Sequence, residues 1–408
     1  MFRRVIFWVH LSAGVLTGLV VCTMSFTGVL LTYERQLKRW AAESHYLSVE
    51  QQGDRLPIEQ LLIEQQLASP DLVPTAAIVT NDSGAPVALR AGRQGGVELN
   101  PYDGTLMRTE APALNEFFSV VTRFHRWFNL EGESRTAARQ VTGVSNVIFM
   151  FLVLSGMYLW LPAIWQKAMF KVRLWLRSDY ANAKVRDFHW HHVFGIWMAI
   201  PLIAVVYTGM VISYPWAANF MYRVFGAEVP VQQQGGSGPQ PGIAPQTARL
   251  ASEGDSGRTD RRDRIDAAEM ADSVAAVATT QWKSLDELIA VALADPASAD
   301  WQRFTLTLPQ SDAKQVQIEI DHGNGAQVQL RHTLSLDRAT GAIVGRRGFA
   351  DQPAAQRLRS IARFLHTGEV MGFWGQTIAG LASLAAVLLV WTGLALAWRR
   401  LIQPLYNR

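Results

Sequence analysis

The chain has 408 residues, of which 49% are hydrophobic and 18% are charged, and its formal net charge is +4. Four windows, 5–33, 141–166, 188–222 and 370–398, contain no Asp, Glu, Lys or Arg, and each exceeds the roughly 20 residues that a helix needs to cross a bilayer core. This distribution excludes a purely soluble enzyme, a disordered chain and a disulfide-stapled secreted domain, and the single cysteine, Cys22, leaves neither a disulfide nor a thiolate metal site.

The windows predict an integral membrane α-helical protein with four transmembrane helices. Basic residues flank the ends that we assign to the cytoplasm by the positive-inside rule, so both termini are expected inside. We interpret these charges as orientation signals, not as a nucleic-acid surface. The predicted elements are a transmembrane helix at 5–33, a periplasmic module at 34–140, a transmembrane helix at 141–165, a cytoplasmic loop at 166–187, a transmembrane helix at 188–216, a second periplasmic module at 217–369 with a flexible insert at 231–275, and a transmembrane helix at 370–398.

Both outer segments have the pattern of a small α+β module. In the first, Pro57 opens a predicted helix, strands are predicted at 75–80, 86–89 and 97–99, and a turn at 100–104 follows. In the second, Ser284 and Glu287 predict a capped helix through Leu293, and strands at 304–308, 316–320 and 333–336 precede a turn at 337–341. The segment 231–275 is rich in Gln, Gly, Pro, Ser and charge, which predicts a flexible insert.

An internal duplication singles out four of the nine histidines. At an offset of 181 residues, His10, Gly14 and Thr27-Gly28 superpose on His191, Gly195 and Thr208-Gly209. At an offset of 237, Gly143 and Ser155-Gly156 superpose on Gly380 and Thr392-Gly393. His125 and His366 precede the second and fourth helices in equivalent places. We therefore predict two tandem repeats, with His10 and His191 near the cytoplasmic face and His125 and His366 near the outer face.

Paired imidazoles inside a membrane are typical ligands of haem iron. The 17 residues from His10 to Thr27 span about 26 Å in a helix, so two haem sites would be stacked across the bilayer. His189 and His192 flank His191 without counterparts in the first helix and are less favoured as ligands. His45, His322 and His332 are expected to be exposed surface residues. Zinc is disfavoured because neither Cys nor a carboxylate lies at ligand spacing.

The duplicated motifs resemble those of the PepSY-associated transmembrane helix family. The resemblance rests on His10-x-x-x-Gly14 with Thr27-Gly28, on its copy at His191, and on the segments 124–128 and 365–369, and it covers the chain outside the insert. The outer turns resemble the end of a PepSY module, which gives two periplasmic α+β PepSY-like modules. The resemblance implies a bacterial inner-membrane protein, and some members are di-haem reductases of ferric siderophores. It thus implies two haem b, held by His10, His191, His125 and His366.

The first functional hypothesis is an oxidoreductase that passes electrons across the membrane to a periplasmic ferric siderophore. The sequence has no GxGxxG after a strand and no cytoplasmic segment large enough for a flavin domain, so we expect a cytoplasmic flavoprotein reductase or a quinol as electron donor. The alternative is a PepSY-type sensor or protease-regulating membrane protein without redox activity. A transporter with a histidine proton relay is a third hypothesis, weakened by the absence of charge in the four windows.

Overall fold

The fold consists of membrane-length helices below one antiparallel sheet. The computed structural model describes residues 1–46, 53–92, 95–107, 112–162, 167–224, 226 and 282–406. The insert predicted at 231–275 lies outside the described residues. The helices in chain order are α1 (Phe2–Leu31), α2 (Glu34–Tyr46), α3 (Ile58–Ala68), α4 (Pro112–Trp127), α5 (Gly132–Trp160), α6 (Lys167–Leu174), α7 (Ala183–Trp197), α8 (Ala199–Ser213), α9 (Pro215–Val224), α10 (Leu285–Leu293), α11 (Ala354–His366), α12 (Gly372–Leu401) and α13 (Gln403–Tyr406).

Within the described residues, three helical segments are long and apolar enough to cross a membrane, and a bent pair makes a fourth if it is counted as one span. The three segments are Phe2–Ala42, Gly132–Trp160 and Glu369–Tyr406. α1 packs against both α5 and α12, α7 packs against α12, and α8 packs against α5. The helices therefore form one bundle, as a multi-pass membrane protein requires.

The third predicted span, 188–216, is broken where we expected a continuous helix. α7 ends at Trp197, α8 begins at Ala199, and the two axes differ by 67°. Pro201 lies in the first turn of α8, where it has no N–H to give to the carbonyl of Trp197 and its ring crowds that carbonyl. The first helix has Val20 at the matching position, and α1 is continuous.

The second span also begins earlier than predicted, at Gly132 instead of residue 141. Its first turns contain Glu133, Arg135 and Arg139, which the charge-free window left out. Charged residues at a helix end can reach the headgroup layer, so charge alone does not locate the end of a membrane helix.

The eight strands of the described residues belong to one sheet, although two separate modules were predicted. The strands are β1 (Ala76–Thr80), β2 (Val87–Arg90), β3 (Gly96–Leu99), β4 (Leu106–Met107), β5 (Arg303–Thr307), β6 (Gln315–Asp321), β7 (Arg331–Asp337) and β8 (Ile343–Gly348). Their order is β4-β3-β2-β1-β5-β6-β7-β8, with antiparallel neighbours throughout. Pairing of β1 with β5 joins the first set of four strands to the second.

The two halves of the sheet resemble each other about the β1–β5 pair. Helices α3 and α10 lie together, and each caps the other: the amide of Ile58 donates to Oδ1 of Asp286 at 3.1 Å, and the amide of Leu285 donates to Oε1 of Glu59 at 2.8 Å. The predicted capping box of Ser284 is confirmed. Carboxylates in the first turn of a helix also complement its dipole.

The sheet and the two helices share one apolar core. Leucines and isoleucines that point to one face of the central strands pack against α3 and α10. Among the fully buried members are Leu61, Leu89, Leu288, Leu306, Ile318 and Leu336. The core thus holds the sheet together across the junction between the modules.

The prediction that His322 and His332 are exposed surface residues was wrong. Both are half-buried, and their rings stack with centroids 5.3 Å apart. They lie at the end of β6 and on β7, so the pleat of the sheet brings them side by side. The side chain of His45 lies outside the described residues.

Candidate functional site

Each histidine of the inner pair is held by a hydroxyl of a neighbouring helix. Nδ1 of His10, on α1, lies 2.8 Å from Oγ of Ser155 on α5. Nδ1 of His191, on α7, lies 2.9 Å from Oγ1 of Thr392 on α12. The two imidazoles are close enough to interact electrostatically. Four helices thus meet at the inner pair.

The outer pair repeats this arrangement with the roles of the helices exchanged. His125 ends α4 and bonds through Nδ1 to Oγ1 of Thr27 on α1 at 3.0 Å. His366 ends α11, and its Nδ1 lies 3.4 Å from Oγ1 of Thr208 and 2.8 Å from the carbonyl oxygen of Val205, both on α8. The centroids of the two rings are 6.2 Å apart. The two outer imidazoles therefore lie next to each other, and their separation is about that of two imidazoles bound to one metal ion.

The hydroxyls determine which imidazole nitrogen carries the proton. A hydroxyl has one proton, and each of the four donates it to the backbone carbonyl four residues earlier in its own helix. The oxygen can then only accept from Nδ1–H, so a neutral imidazole at each of the four positions carries its proton on Nδ1 and leaves Nε2 unprotonated. Within the described residues no hydrogen bond occupies any of these Nε2 atoms. The four bonds run from Ser155 to Phe151 at 2.6 Å, from Thr392 to Leu388 at 2.7 Å, from Thr27 to Thr23 at 2.7 Å and from Thr208 to Ala204 at 2.6 Å.

A glycine follows each hydroxyl residue and leaves room for the ring. A Cβ added to Gly156 or to Gly393 would lie 3.4 Å from Cε1 of the adjacent inner histidine. At the outer pair the corresponding distances are 3.8 Å for Gly28 and 3.2 Å for Gly209. A larger side chain would push the imidazole away from its position. In each Ser/Thr-Gly pair, the hydroxyl thus contacts one histidine and the glycine leaves space for its ring.

A buried ion pair joins α7, which carries His191, to α12, which carries Thr392. Asp187, one turn before His191 on α7, is 1% exposed and accepts from Arg399 of α12 at 2.6 Å and from Arg186 at 3.0 Å. Arginine suits such a site because its fork of donors can satisfy a buried carboxylate. The ion pair lies at the end of the bundle where His10 and His191 lie.

The neighbouring histidines are engaged differently. His189 uses both nitrogens, Nδ1 with the hydroxyl of Tyr180 at 3.0 Å and Nε2 with the carbonyl of Val172 at 2.8 Å. His192 bonds through Nδ1 to the carbonyl of Phe188 in its own helix, and its ring lies tilted against the Phe188 ring with the centroids 4.1 Å apart. His189 has no free nitrogen for a ligand, which agrees with the lower rank that the repeat gave it.

The four sequence-selected histidines thus come together as two pairs, and the sequence missed the partners that orient them. Ser155, Thr392, Thr27 and Thr208 appeared in the alignment only as repeated positions. The sequence did contain a pattern that could have identified these partners, because a Ser or Thr directly before a Gly recurs in all four spans. In the described part of the chain no three side chains of His, Cys, Asp or Glu converge as a metal-ion site. A pair of imidazoles suits a metal that brings its other ligands with it.

Comparison with known proteins gives one result. The family model described as the PepSY-associated TM region matches residues 7–400. A comparison with curated proteins finds no match.

Proposed function

The chain belongs to the PepSY-associated TM region family, and we propose that it is a haem-binding reductase of the bacterial inner membrane. It would pass electrons from the cytoplasmic side to a ferric siderophore in the periplasm and release Fe(II). The observation that carries the proposal is the common state of His10, His191, His125 and His366. Nδ1 of each contacts a hydroxyl, and Nδ1 of His366 also contacts the carbonyl of Val205, so a neutral imidazole at each position would offer an unprotonated Nε2 in an apolar bundle.

The donor set fits haem b. Two imidazoles that bind one metal from opposite sides, each at about 2 Å, have centroids about 6 Å apart, and the outer rings are 6.2 Å apart. Haem fills the other four positions of its iron, so a pair of histidines is a complete ligand set. We assign one haem to His10 and His191 and the second to His125 and His366. When bound, haem with two axial histidines supplies one-electron transfer and has no open position for oxygen.

The protein's own residues would hold the two centres at fixed depth. His10 and Thr27 are 17 residues apart on one continuous helix, which corresponds to a rise of about 26 Å, and Thr27 is the hydrogen-bond partner of His125. This distance nearly equals the hydrocarbon thickness, so one pair would lie near each face. The apolar surfaces of the helices exclude water from both pairs.

Outward electron flow agrees with the membrane potential. An electron that leaves a negative interior gains about 2.3 kcal/mol per 100 mV. We propose that both termini are cytoplasmic, on the basis of the Lys and Arg residues at 3–4, 167–186 and 399–400. A cytoplasmic flavoprotein reductase or a membrane quinol would supply the electrons. A siderophore binds Fe(II) far less well than Fe(III), so reduction would release the metal in the periplasm.

The test is the haem content of the purified protein and of four single variants, in which each histidine of the pairs is replaced by Ala. We expect two haems per chain in the parent and about one in each variant, from the pyridine haemochrome spectrum. His322→Ala, directly after β6 of the sheet, is the matched control and should keep both. Reduction of a ferric siderophore by liposome-embedded protein with an internal reductant then tests the direction.

Absence of a Soret band, or an unchanged spectrum in the variants, would exclude the reductase. A partner protein captured equally well by the parent and by the variant without all four histidines would favour the alternative, a PepSY-type sensor or protease regulator.

A further inference from the structure

Four arginines lie near one another beside the outer histidine pair, and we name them the outer arginine cluster: Arg126, Arg135, Arg139 and Arg363. All four are exposed. Arg126 directly follows His125, and Arg363 lies one turn before His366 on α11. The cluster therefore combines residues from both halves of the chain at the place where the two outer histidines meet.

One buried ring brings two of the guanidinium groups together. The guanidinium of Arg135 lies 4.1 Å and that of Arg126 lies 5.0 Å from the centroid of Trp127. Trp127 is buried, so the ring holds both cations at a fixed place through cation–π contact. Arg139 is one helical turn beyond Arg135 on α5, on the same face of that helix.

The cluster has positive charge without a matching acid. The ion pairs among the described residues include none of its four members, whereas Arg123, on the same helix as Arg126, pairs with Glu116 at 2.9 Å. Arg126 lies close enough to Arg139, Arg135 and Arg363 for their positive charges to repel its own. Like charges that are held together raise the free energy of the empty cluster, and a bound anion would remove that cost.

Orientation in the membrane does not explain these charges. Arginines near the outer ends of helices oppose the positive-inside signal that we assign to the other face. Arginine is also the side chain that best matches a carboxylate or phosphate, because its donors form a planar fork. A cluster of four at the outer pair therefore needs a function other than topology.

We propose that the outer arginine cluster is a docking site for an anionic ferric complex that presents carboxylates. The inference rests on the proposed reductase function and names the chemical class of its substrate. The cluster would hold such a complex beside His125 and His366, from which the electron would leave. A complex without net charge would gain nothing from the four cations.

Phospholipid headgroups are the competing anion, and the position of the cluster favours the soluble complex. Headgroup sites need only one lipid-facing helix, but this cluster takes its members from α4, α5 and α11, around the histidines. A site that serves electron transfer must lie at the outer pair, and a lipid site need not.

The test measures binding without electron transfer. Gallium(III) citrate, a redox-inert anionic complex, is titrated into the full-length protein in phosphatidylcholine nanodiscs by calorimetry, with an uncharged gallium(III) trihydroxamate as comparison. In the double variant Arg139→Gln/Arg363→Gln, neither changed residue stacks on Trp127. We expect its affinity for the citrate complex to fall at least about tenfold, since each lost charge-assisted bond has about this effect. Binding to the parent should weaken with added salt.

Two controls separate charge from folding. The charge-keeping variant Arg139→Lys/Arg363→Lys should retain most of the affinity, and Arg347→Gln, which removes one exposed positive charge from β8, should change nothing. Equal affinity of all four proteins, or no citrate binding by the parent, would overturn the proposal. Loss of co-purified phosphatidylglycerol in the double variant without a change in citrate binding would overturn it in favour of a lipid site. A chain that binds the complex but contains no haem would refute the reductase and leave the docking site standing.

Discussion

Replacement of Thr27 by Val removes one hydroxyl from the outer pair and keeps the shape of the side chain. The hydroxyl accepts the Nδ1 proton of His125 at 3.0 Å. The backbone carbonyl of Met24 also interacts with the imidazole of His125, so it would compensate in part for the lost hydroxyl. The imidazole would still lose its oriented acceptor, and loss of such a partner typically weakens metal binding 10–100-fold.

The equivalent change at the other histidine should have little effect. Nδ1 of His366 keeps the carbonyl of Val205 at 2.8 Å when Thr208 is replaced, and the hydroxyl itself is at 3.4 Å. We therefore expect Thr27→Val to weaken haem retention about tenfold, equivalent to about 1.4 kcal/mol, and Thr208→Val to weaken it less than threefold.

The assay is transfer of haem from each variant to an excess of apomyoglobin, followed by the Soret band. Thr27→Ser restores an acceptor and should retain haem like the parent protein. Equal losses in the two Val variants, or a larger loss in Thr208→Val, would refute the reasoning that Thr27 orients His125 and that a carbonyl replaces Thr208.

Three further changes test the packing, the ion pair and the sheet. Gly393→Val should displace His191, because even a Cβ would lie 3.4 Å from its ring, and the inner haem absorbance should be lost. Arg399→Ala should lower the free energy of unfolding by about 1–3 kcal/mol in thermal unfolding, because it removes one partner of the buried Asp187. Burial and the adjacent imidazole lower the pKa of His332, so the unfolded chain takes up its proton first and stability should fall as the pH drops below about 6.5. His332→Gln should reduce the loss of thermal stability between pH 7.5 and pH 5.5.

The first two of these changes have matched controls. Gly14→Ala should keep both haems, since a Cβ there meets only Leu152, at 3.9 Å. Lys184→Ala removes an exposed cation from α7 and should leave stability within about 0.5 kcal/mol. A full haem complement in Gly393→Val, unchanged stability in Arg399→Ala, or the same acid sensitivity in His332→Gln would contradict the corresponding prediction.

Local structure could be predicted from the sequence because its signals are local. The capping residues at Ser284 and Glu287 fix the start of α10, and apolar patterning places six of the eight described strands within two residues of their observed ends. The edge strands β4 and β8 were not predicted. Charge-free windows locate the membrane helices because burial of charge in lipid is costly. The same rule misplaced the start of α5, where Arg139 is exposed near the end of the bundle.

Contacts between distant parts of the chain could not be predicted in the same way. The pairing of β1 with β5 joins residues more than 220 positions apart, and a strand's alternation does not name its neighbour. The hydroxyl partners of the histidines could not be predicted for a similar reason, because Thr27 and Ser155 each bond to a histidine of another helix. Pro201 was visible, and the break beside it could have been predicted from the missing N–H.

That break makes the halves of the bundle unequal where they hold the outer histidines. In the continuous α1, His125 bonds to the hydroxyl of Thr27. In α8, beyond the 67° bend, the carbonyl of Val205 accepts from His366 and that of Val206 accepts from Asn146 at 3.0 Å. An amide carbonyl is a stronger acceptor than a hydroxyl, so we expect Nε2 of His366 to be more basic than Nε2 of His125. If haem is held there as proposed, His125 and His366 would therefore differ in electron donation to it, although the sequence motifs that form their surroundings are the same.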